Sequence, residues 1–149
     1  MSPQKPLRPI EILLVEDNAA DAQLIERAFR TARMPIHLCV VEDGFQALDY
    51  LYRKEGFQDA VRPDLIMLDL NLPGRDGHQV LRDLKDDPDL KEVPVLIYSG
   101  SAAQKDVRLA YRLGGNCYIR KPVELDEFFG VVASIERFWL GTALLPSTV

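Results

Sequence analysis

Cysteine is almost missing from this chain of 149 residues, with only Cys39 and Cys117, and no apolar run is long enough to cross a bilayer. Cys39 lies between Leu38 and Val40, and Cys117 beside Tyr118. Each falls in an expected strand, so a disulfide scaffold is excluded and the pair reads as two buried free thiols rather than a bridge or ligand set. Histidine is equally scarce. His37 and His78 have no cysteine or acid company of the catalytic or ligating kind and read as surface or helix-end residues. A surplus of positive charge is also lacking: the net charge is -5 with both signs interspersed, which argues against nucleic acid or an anionic membrane as the main partner. Met1–Pro9 holds three prolines and no hydrophobic stretch of a signal peptide. The expectation is a cytoplasmic protein with no membrane association. The length suits one domain, able to bury about two-thirds of its unfolded surface without metal or disulfide staples.

What is present is a strict alternation. After a flexible arm over residues 1–9, Ile10–Val15 is a mostly apolar strand that stops on Glu16-Asp17-Asn18. Asn18 or a neighbour caps the next helix, with Asp21 three residues on as in a capping box, and Ile25, Phe29 and Ala32 recur at helical spacing. The helix is expected to reach about Ala32. Ile36–Val41 makes a second strand, and Phe45–Lys54 a second helix with Ala47, Leu48, Leu51 and Tyr52 on one face. Residues Glu55–Arg62 read as a surface loop without chemistry. The run Pro63–Leu68 is apolar enough to be a fully buried strand, and it too ends on an acid, Asp69. The Leu72-Pro73-Gly74 and Asp76-Gly77 segments turn the chain sharply into a helix carrying Val80, Leu81 and Leu84, which Asp87-Pro88 ends. Val93–Tyr98 is the fourth strand and stops at Ser99-Gly100-Ser101. A helix from about Ala103 to Leu113 is closed by Gly114-Gly115, and Cys117–Ile119 is the fifth strand, terminated by Lys121-Pro122. Leu125, Phe128, Phe129, Val132, Ile135 and Trp139 mark a last amphipathic helix. Five β/α pairs imply an α/β fold, a single doubly wound five-stranded parallel sheet with helices on both faces.

A parallel sheet places all its strand carboxyl ends on one edge. Glu16, Asp17, Asp69, Ser99 and Lys121 therefore converge although far apart in sequence. Carboxylates this close repel by roughly 4 kcal/mol per pair at about 4 Å, so the site holds protons or recruits a cation. A hard divalent cation answers best: Mg²⁺ takes oxygen ligands, keeps several waters and leaves room for a phosphoryl group. Lys121 and Ser99 supply a positive charge and a hydroxyl donor for anionic oxygens, which leaves Asp69 as nucleophile.

In this set the chain resembles the receiver domains of two-component response regulators, with their flavodoxin-like (βα)5 fold, over roughly residues 10–138. The residues that carry the likeness are Glu16-Asp17 after the first strand, Asp69 after the third, Ser99 after the fourth and Lys121-Pro122 after the fifth, with Tyr118 in place of the family's switch aromatic. More narrowly, Val15-Glu-Asp-Asn18, Leu68-Asp-Leu-Asn-Leu-Pro-Gly74, Asn116-Cys-Tyr118, Lys121-Pro-Val123 and Phe138-Trp139 look like the stand-alone regulators paired with bacterial phytochrome kinases. Gly100 after Ser99 departs from the Ala or Thr often found there.

The resemblance implies a phospho-accepting signalling protein of a phosphorelay. A sensor histidine kinase, of the phytochrome type on the narrower likeness, donates to Asp69. Glu16, Asp17, Asp69 and the Asn71 backbone carbonyl hold Mg²⁺. Ser99 and Tyr118 switch, and the signal passes to a downstream protein or phosphotransfer domain. It is not an enzyme beyond its own phosphorylation and dephosphorylation. Two other classes compete. A haloacid dehalogenase-type phosphatase also uses a strand-end Asp and a Lys, but places an acid two residues after the nucleophile, where Asn71 stands here. A non-phosphorylated scaffolding receiver normally lacks one of the site residues, and none is lacking. Beyond a receiver unit over residues 10–140 lies a C-terminal tail, 141–149. Phe138 and Trp139 are adjacent, about 100° apart on a helical wheel, so one of them points outward. With Leu144 and Leu145 they finish the core or meet a partner, and a homodimer is the expected cover.

Overall fold

Aliphatic runs with no polar face to offer water form the middle of the molecule. The computed structural model describes residues 8–148, so most of the expected N-terminal arm (Met1–Leu7) and Val149 lie outside the described residues. Five strands, β1 (Ile10–Val15), β2 (Ile36–Val41), β3 (Leu65–Leu68), β4 (Val95–Ser99) and β5 (Cys117–Arg120), make one parallel sheet in the order β2-β1-β3-β4-β5. Each is followed by a helix: α1 (Ala19–Arg30), α2 (Gly44–Leu51), α3 (Gly77–Asp86), α4 (Gln104–Arg112) and α5 (Leu125–Ile135). The fold is the doubly wound, flavodoxin-like one, with helices on both faces.

The two-residue period of a strand divides the core. Leu13, Val15, Ile66, Leu68, Val95 and Ile97 face the helices α2, α3 and α4 through Ala47, Tyr50, Val80, Leu81, Leu84 and Ala110. The alternate residues Ile12, Leu14, Leu65, Met67, Leu96 and Tyr98 pack on α1 and α5 through Ile25, Phe29, Phe128, Val132 and Ile135. Central β3 is buried along its whole length, whereas edge strands β2 and β5 are half-covered. Accordingly, Cys39 and Cys117, one on each edge strand, are free but half-buried rather than buried.

Several local expectations need correction. The first helix ends at Arg30, because Thr31 and Ala32 close it with hydrogen bonds to Ala28 and Phe29 three residues back. The second ends at Leu51, followed by left-handed backbone at Arg53 and Glu55. Residues Glu55–Arg62 are more than a surface loop: Phe57 packs edge-on against Tyr50, 5.5 Å between ring centres, and joins the core. The last helix is not uniform. After Ile135 the chain widens into a π-helical segment, Glu136–Thr142, closed by the Ala143 N–H on the Phe138 carbonyl at 2.7 Å. Widening turns Trp139 half inward and Leu140 fully inward, and leaves Phe138 exposed. Leu145 is buried, so of the two tail leucines only Leu144 adds exposed apolar surface.

At the amino edge of the sheet, buried Asp64 collects both ends of the chain. It accepts both guanidinium nitrogens of Arg8 at 3.0 Å, the Glu11 N–H at 2.8 Å and the Ser147 hydroxyl. Burial alone pushes its carboxyl upward, but these donors outweigh it and hold Asp64 below the usual carboxylate range. Arg8, within the expected arm, thus meets the sheet at Asp64. Among the described residues no helix is long and apolar enough to cross a membrane.

Candidate functional site

The opposite edge of the sheet carries the acids. In this strand order the connections from β1 and β3 leave in opposite directions, which opens a crevice beyond their carboxyl ends. Backbone bonds fix its floor: the Asp69 N–H donates to the Val15 carbonyl at 3.1 Å and the Glu16 N–H to the Val41 carbonyl at 3.0 Å. The β3–β4 register pairs Leu68 with Ile97, which sets Ser99 just past the level of Asp69, and the Lys121 N–H donates to the Ser99 carbonyl at 2.8 Å.

The side chains meet there as the strand-end argument requires. Glu16, Asp17 and Asp69 each offer an oxygen, and these lie within 4.8 Å of one another. Glu16 and Asp69 are buried, whereas Asp17 faces water at the rim. Lys121 Nζ stands 2.6 Å from Glu16 Oε1 and 2.9 Å from Asp69 Oδ2. The other Asp69 oxygen, Oδ1, accepts the Asn71 N–H at 3.1 Å, which sets the Asn71 backbone against the carboxylate. Burial pushes the Glu16 carboxyl up, Lys121 pulls it part of the way back and Asp69 adds to the rise, which leaves it at about 7. Lys121 is raised as well. Burial disfavours its charge, but its pairs with Glu16 and Asp69 win and raise it above the ordinary lysine value.

Sequence reasoning missed one member. Asp21 Oδ2 also pairs with Lys121 Nζ, at 3.1 Å. The spacing from Asn18 assigns Asp21 to a capping box, and half of that box is present: Asn18 accepts the Asp21 N–H at 3.0 Å. The side chain, though, serves Lys121 instead of returning to the helix start. The capping box actually completed is Asp76 with Gln79, at the start of α3, and its D-x-x-Q spacing was legible.

Ser99 is fully buried, and its Oγ accepts the Ser101 N–H at 3.4 Å. Half-buried Tyr118 donates its hydroxyl to the Ser101 carbonyl at 2.7 Å. One residue of the β4–α4 connection thus links the two. His37 and His78 stay outside: His37 pairs with Glu11 at 2.6 Å, and His78 sits at the start of α3 beside Asp76.

The donor set can be tested against a metal. It offers oxygens only, with no thiol or imidazole, and buried Glu16 Oε1 touches Lys121 without a directed hydrogen bond. An acidic group of oxygens, open to water through Asp17 at its rim, fits a hard divalent cation.

Fold and crevice together define a receiver, and residues 12–133 match the family described as Response regulator receiver domain. The chain belongs to that family. It is 41% identical to Response regulator Rcp1 of Synechocystis sp. over 139 residues, 93% of this chain and 95% of that protein. Among solved structures it resembles the Mn(2+)-bound form of Rcp1, with a TM-score of 0.89 and 41% identity over 93% of this chain and 99% of that one. It also resembles the phosphorylated cyanobacterial phytochrome response regulator RcpA, with a TM-score of 0.90 and 45% identity over the same 93% and 99%. The chain is a response regulator receiver, similar in sequence and structure to a phytochrome response regulator.

Proposed function

We propose that Asp69 is the phosphoacceptor of a two-component relay and that a phytochrome-type sensor histidine kinase is the donor. The observation that carries the reading is the setting of Asp69: 4% exposed, held between Lys121 Nζ at 2.9 Å and the Asn71 N–H at 3.1 Å, beside two further carboxylates. An Asp69 oxygen attacks the phosphorus of a phosphohistidine in line. A P–O bond forms as the P–N bond breaks, and its electron pair returns to the imidazole, which takes up a proton. Glu16, Asp17, Asp69 and the Asn71 carbonyl hold Mg²⁺, which when bound offsets the negative charge of the carboxylates and the transferring group. Lys121 and the Ser99 hydroxyl take phosphoryl oxygens. Drawing in Ser99 releases the Ser101 N–H, and Ser101 carries the carbonyl that Tyr118 holds. Tyr118 then turns inward and reshapes the surface of α4, β5 and α5.

The chain acts on itself only, in phosphorylation and dephosphorylation. A cytoplasmic location goes with this, since a kinase draws on ATP. Acetyl phosphate with Mg²⁺ is expected to add one phosphoryl mass, labile to hydroxylamine, and a chelator to prevent it. Multiple-turnover hydrolysis of small phosphate esters would instead support the phosphatase reading.

Output goes to a downstream protein or phosphotransfer domain, through a receiver unit of residues 10–140 with an arm before it and the tail 141–149 after it. The unit is a homodimer. Exposed Tyr111, Val123, Leu125, Phe129, Phe138 and Leu144, from 46% to 87% open, lie on α4, the β5–α5 connection, α5, the π-helical segment and the tail, and a second copy covers such a face symmetrically. Light scattering is expected to give a dimer mass for the wild type and a monomer for Phe138→Glu. A wild type that stays monomeric at high concentration, phosphorylated or not, contradicts the dimer.

A further inference from the structure

Lys121 has three N–H bonds to give and three carboxylates within reach. It stands 2.6 Å from Glu16 Oε1, 2.9 Å from Asp69 Oδ2 and 3.1 Å from Asp21 Oδ2. These partners are not equivalent. Glu16 and Asp69 belong to the group whose oxygens close to within 4.8 Å, together with Asp17, and Asp21 does not. Glu16 and Asp69 side chains are essentially closed to water, at 0% and 5%, whereas that of Asp21 is 36% open.

A divalent cation and an ammonium cannot share the same two buried carboxylates without strong mutual repulsion. When the cation arrives, Lys121 must give up Glu16, the more deeply buried of its two partners in that group. Asp21 is the carboxylate already in contact that the cation does not claim. A lysine stem is flexible enough to swing toward it while the ammonium stays within the crevice.

We infer that Asp21 is a positioning residue: it receives Lys121 when a divalent cation takes Glu16 and Asp69, and keeps the ammonium beside Asp69 for the incoming phosphoryl group. The inference rests on the Mg²⁺-dependent reading above. It gives Asp21 no ligand bond and no contact with the reacting atoms. Its position follows from the local fold, because the Asp21 N–H caps onto Asn18 and sets the side chain in the first turn of α1, facing β5 across the site.

The test is a double-mutant cycle on the full chain, with Mg²⁺ affinity measured by calorimetry. Asp21→Asn keeps the side-chain shape and the backbone cap. In the wild-type background it is expected to weaken Mg²⁺ about tenfold, because Lys121 then stays on Glu16 and Asp69, and in Lys121→Met to change it less than about twofold. Equal weakening in both backgrounds would mean that Asp21 acts as a ligand or through its field, and no weakening in the wild type would mean that it does not hold Lys121. Either overturns the inference while leaving the Mg²⁺ site standing. A wild type that binds no Mg²⁺ overturns both. A second measurement needs no lysine variant: under saturating Mg²⁺, Lys121 should react with an amine-directed label several-fold faster in Asp21→Asn than in wild type. An unchanged rate rejects the inference.

Discussion

Lys121→Met is expected to lower the stability of the metal-free protein by about 3 kcal/mol, since removing one partner of a buried ion pair strands the other charge. The stranded groups here are two. The Glu16 and Asp69 side chains are 0% and 5% exposed, and Lys121 itself is 16% exposed. Burial brings the Glu16 carboxyl up to about 7 even with the lysine present, so without it Glu16 takes up a proton near neutral pH and the full loss is expected only above that range. The destabilisation should disappear on adding Mg²⁺, because a divalent cation replaces the lost charge and binds the folded state alone. Acetyl phosphate should still label the variant, but the change around Tyr118 should fail, since Lys121 is assigned to the phosphoryl oxygens. Urea unfolding with and without Mg²⁺ measures the first part. An unchanged metal-free midpoint would show that Lys121 contributes only a solvated surface pair.

Gly77→Ala carries the second large effect. A methyl at Gly77 would lie 2.4 Å from the Asp69 carbonyl oxygen and 2.5 Å from Leu70 Cα, both backbone atoms with no side chain to swing aside. The Gly77 N–H also donates to the Leu70 carbonyl at 3.1 Å, which ties the start of α3 to the end of β3. Relieving the clash moves the Asp69 peptide or the connection that holds Asn71 against its carboxylate. A loss of about 2 kcal/mol or more is expected from overpacking, and labelling by acetyl phosphate should slow at least about tenfold because reacting groups lose alignment. Gly130→Ala is the control. It lies in α5, a methyl there meets nothing within 4 Å, and it should be neutral or slightly stabilising. Equal effects at the two positions would mean that Gly77 matters only as a helix residue.

Gly77 also marks where reading from sequence ends. The run Asp76-Gly77 reads as a sharp turn, yet no left-handed backbone is needed there; the glycine serves a close approach to another strand end, which no local pattern encodes. The strands were legible because buried aliphatic runs stop abruptly at acids, and a parallel sheet then forces Glu16, Asp17 and Asp69 together. Lys121 was legible for the same reason. Asp21 was not: its local role as the residue three after Asn18 is genuine, and its pair with Lys121 spans 100 residues. The π-helical segment after Ile135 escaped for a different cause. Phe138, Trp139 and Leu140 fit an α-helical wheel poorly, and that misfit points equally to an outward face or to a change of helix width.

The central claim is that Asp69 carries the phosphoryl group, and the most direct measurement is to locate it. The protein is treated with acetyl phosphate and Mg²⁺, the acyl phosphate is reduced with borohydride, and peptides are sequenced by mass spectrometry. The account predicts reduction at Asp69 alone, with none after chelation or in Asp69→Asn. Modification at Glu16 or Asp17, or undiminished labelling of the Asn variant, would contradict it.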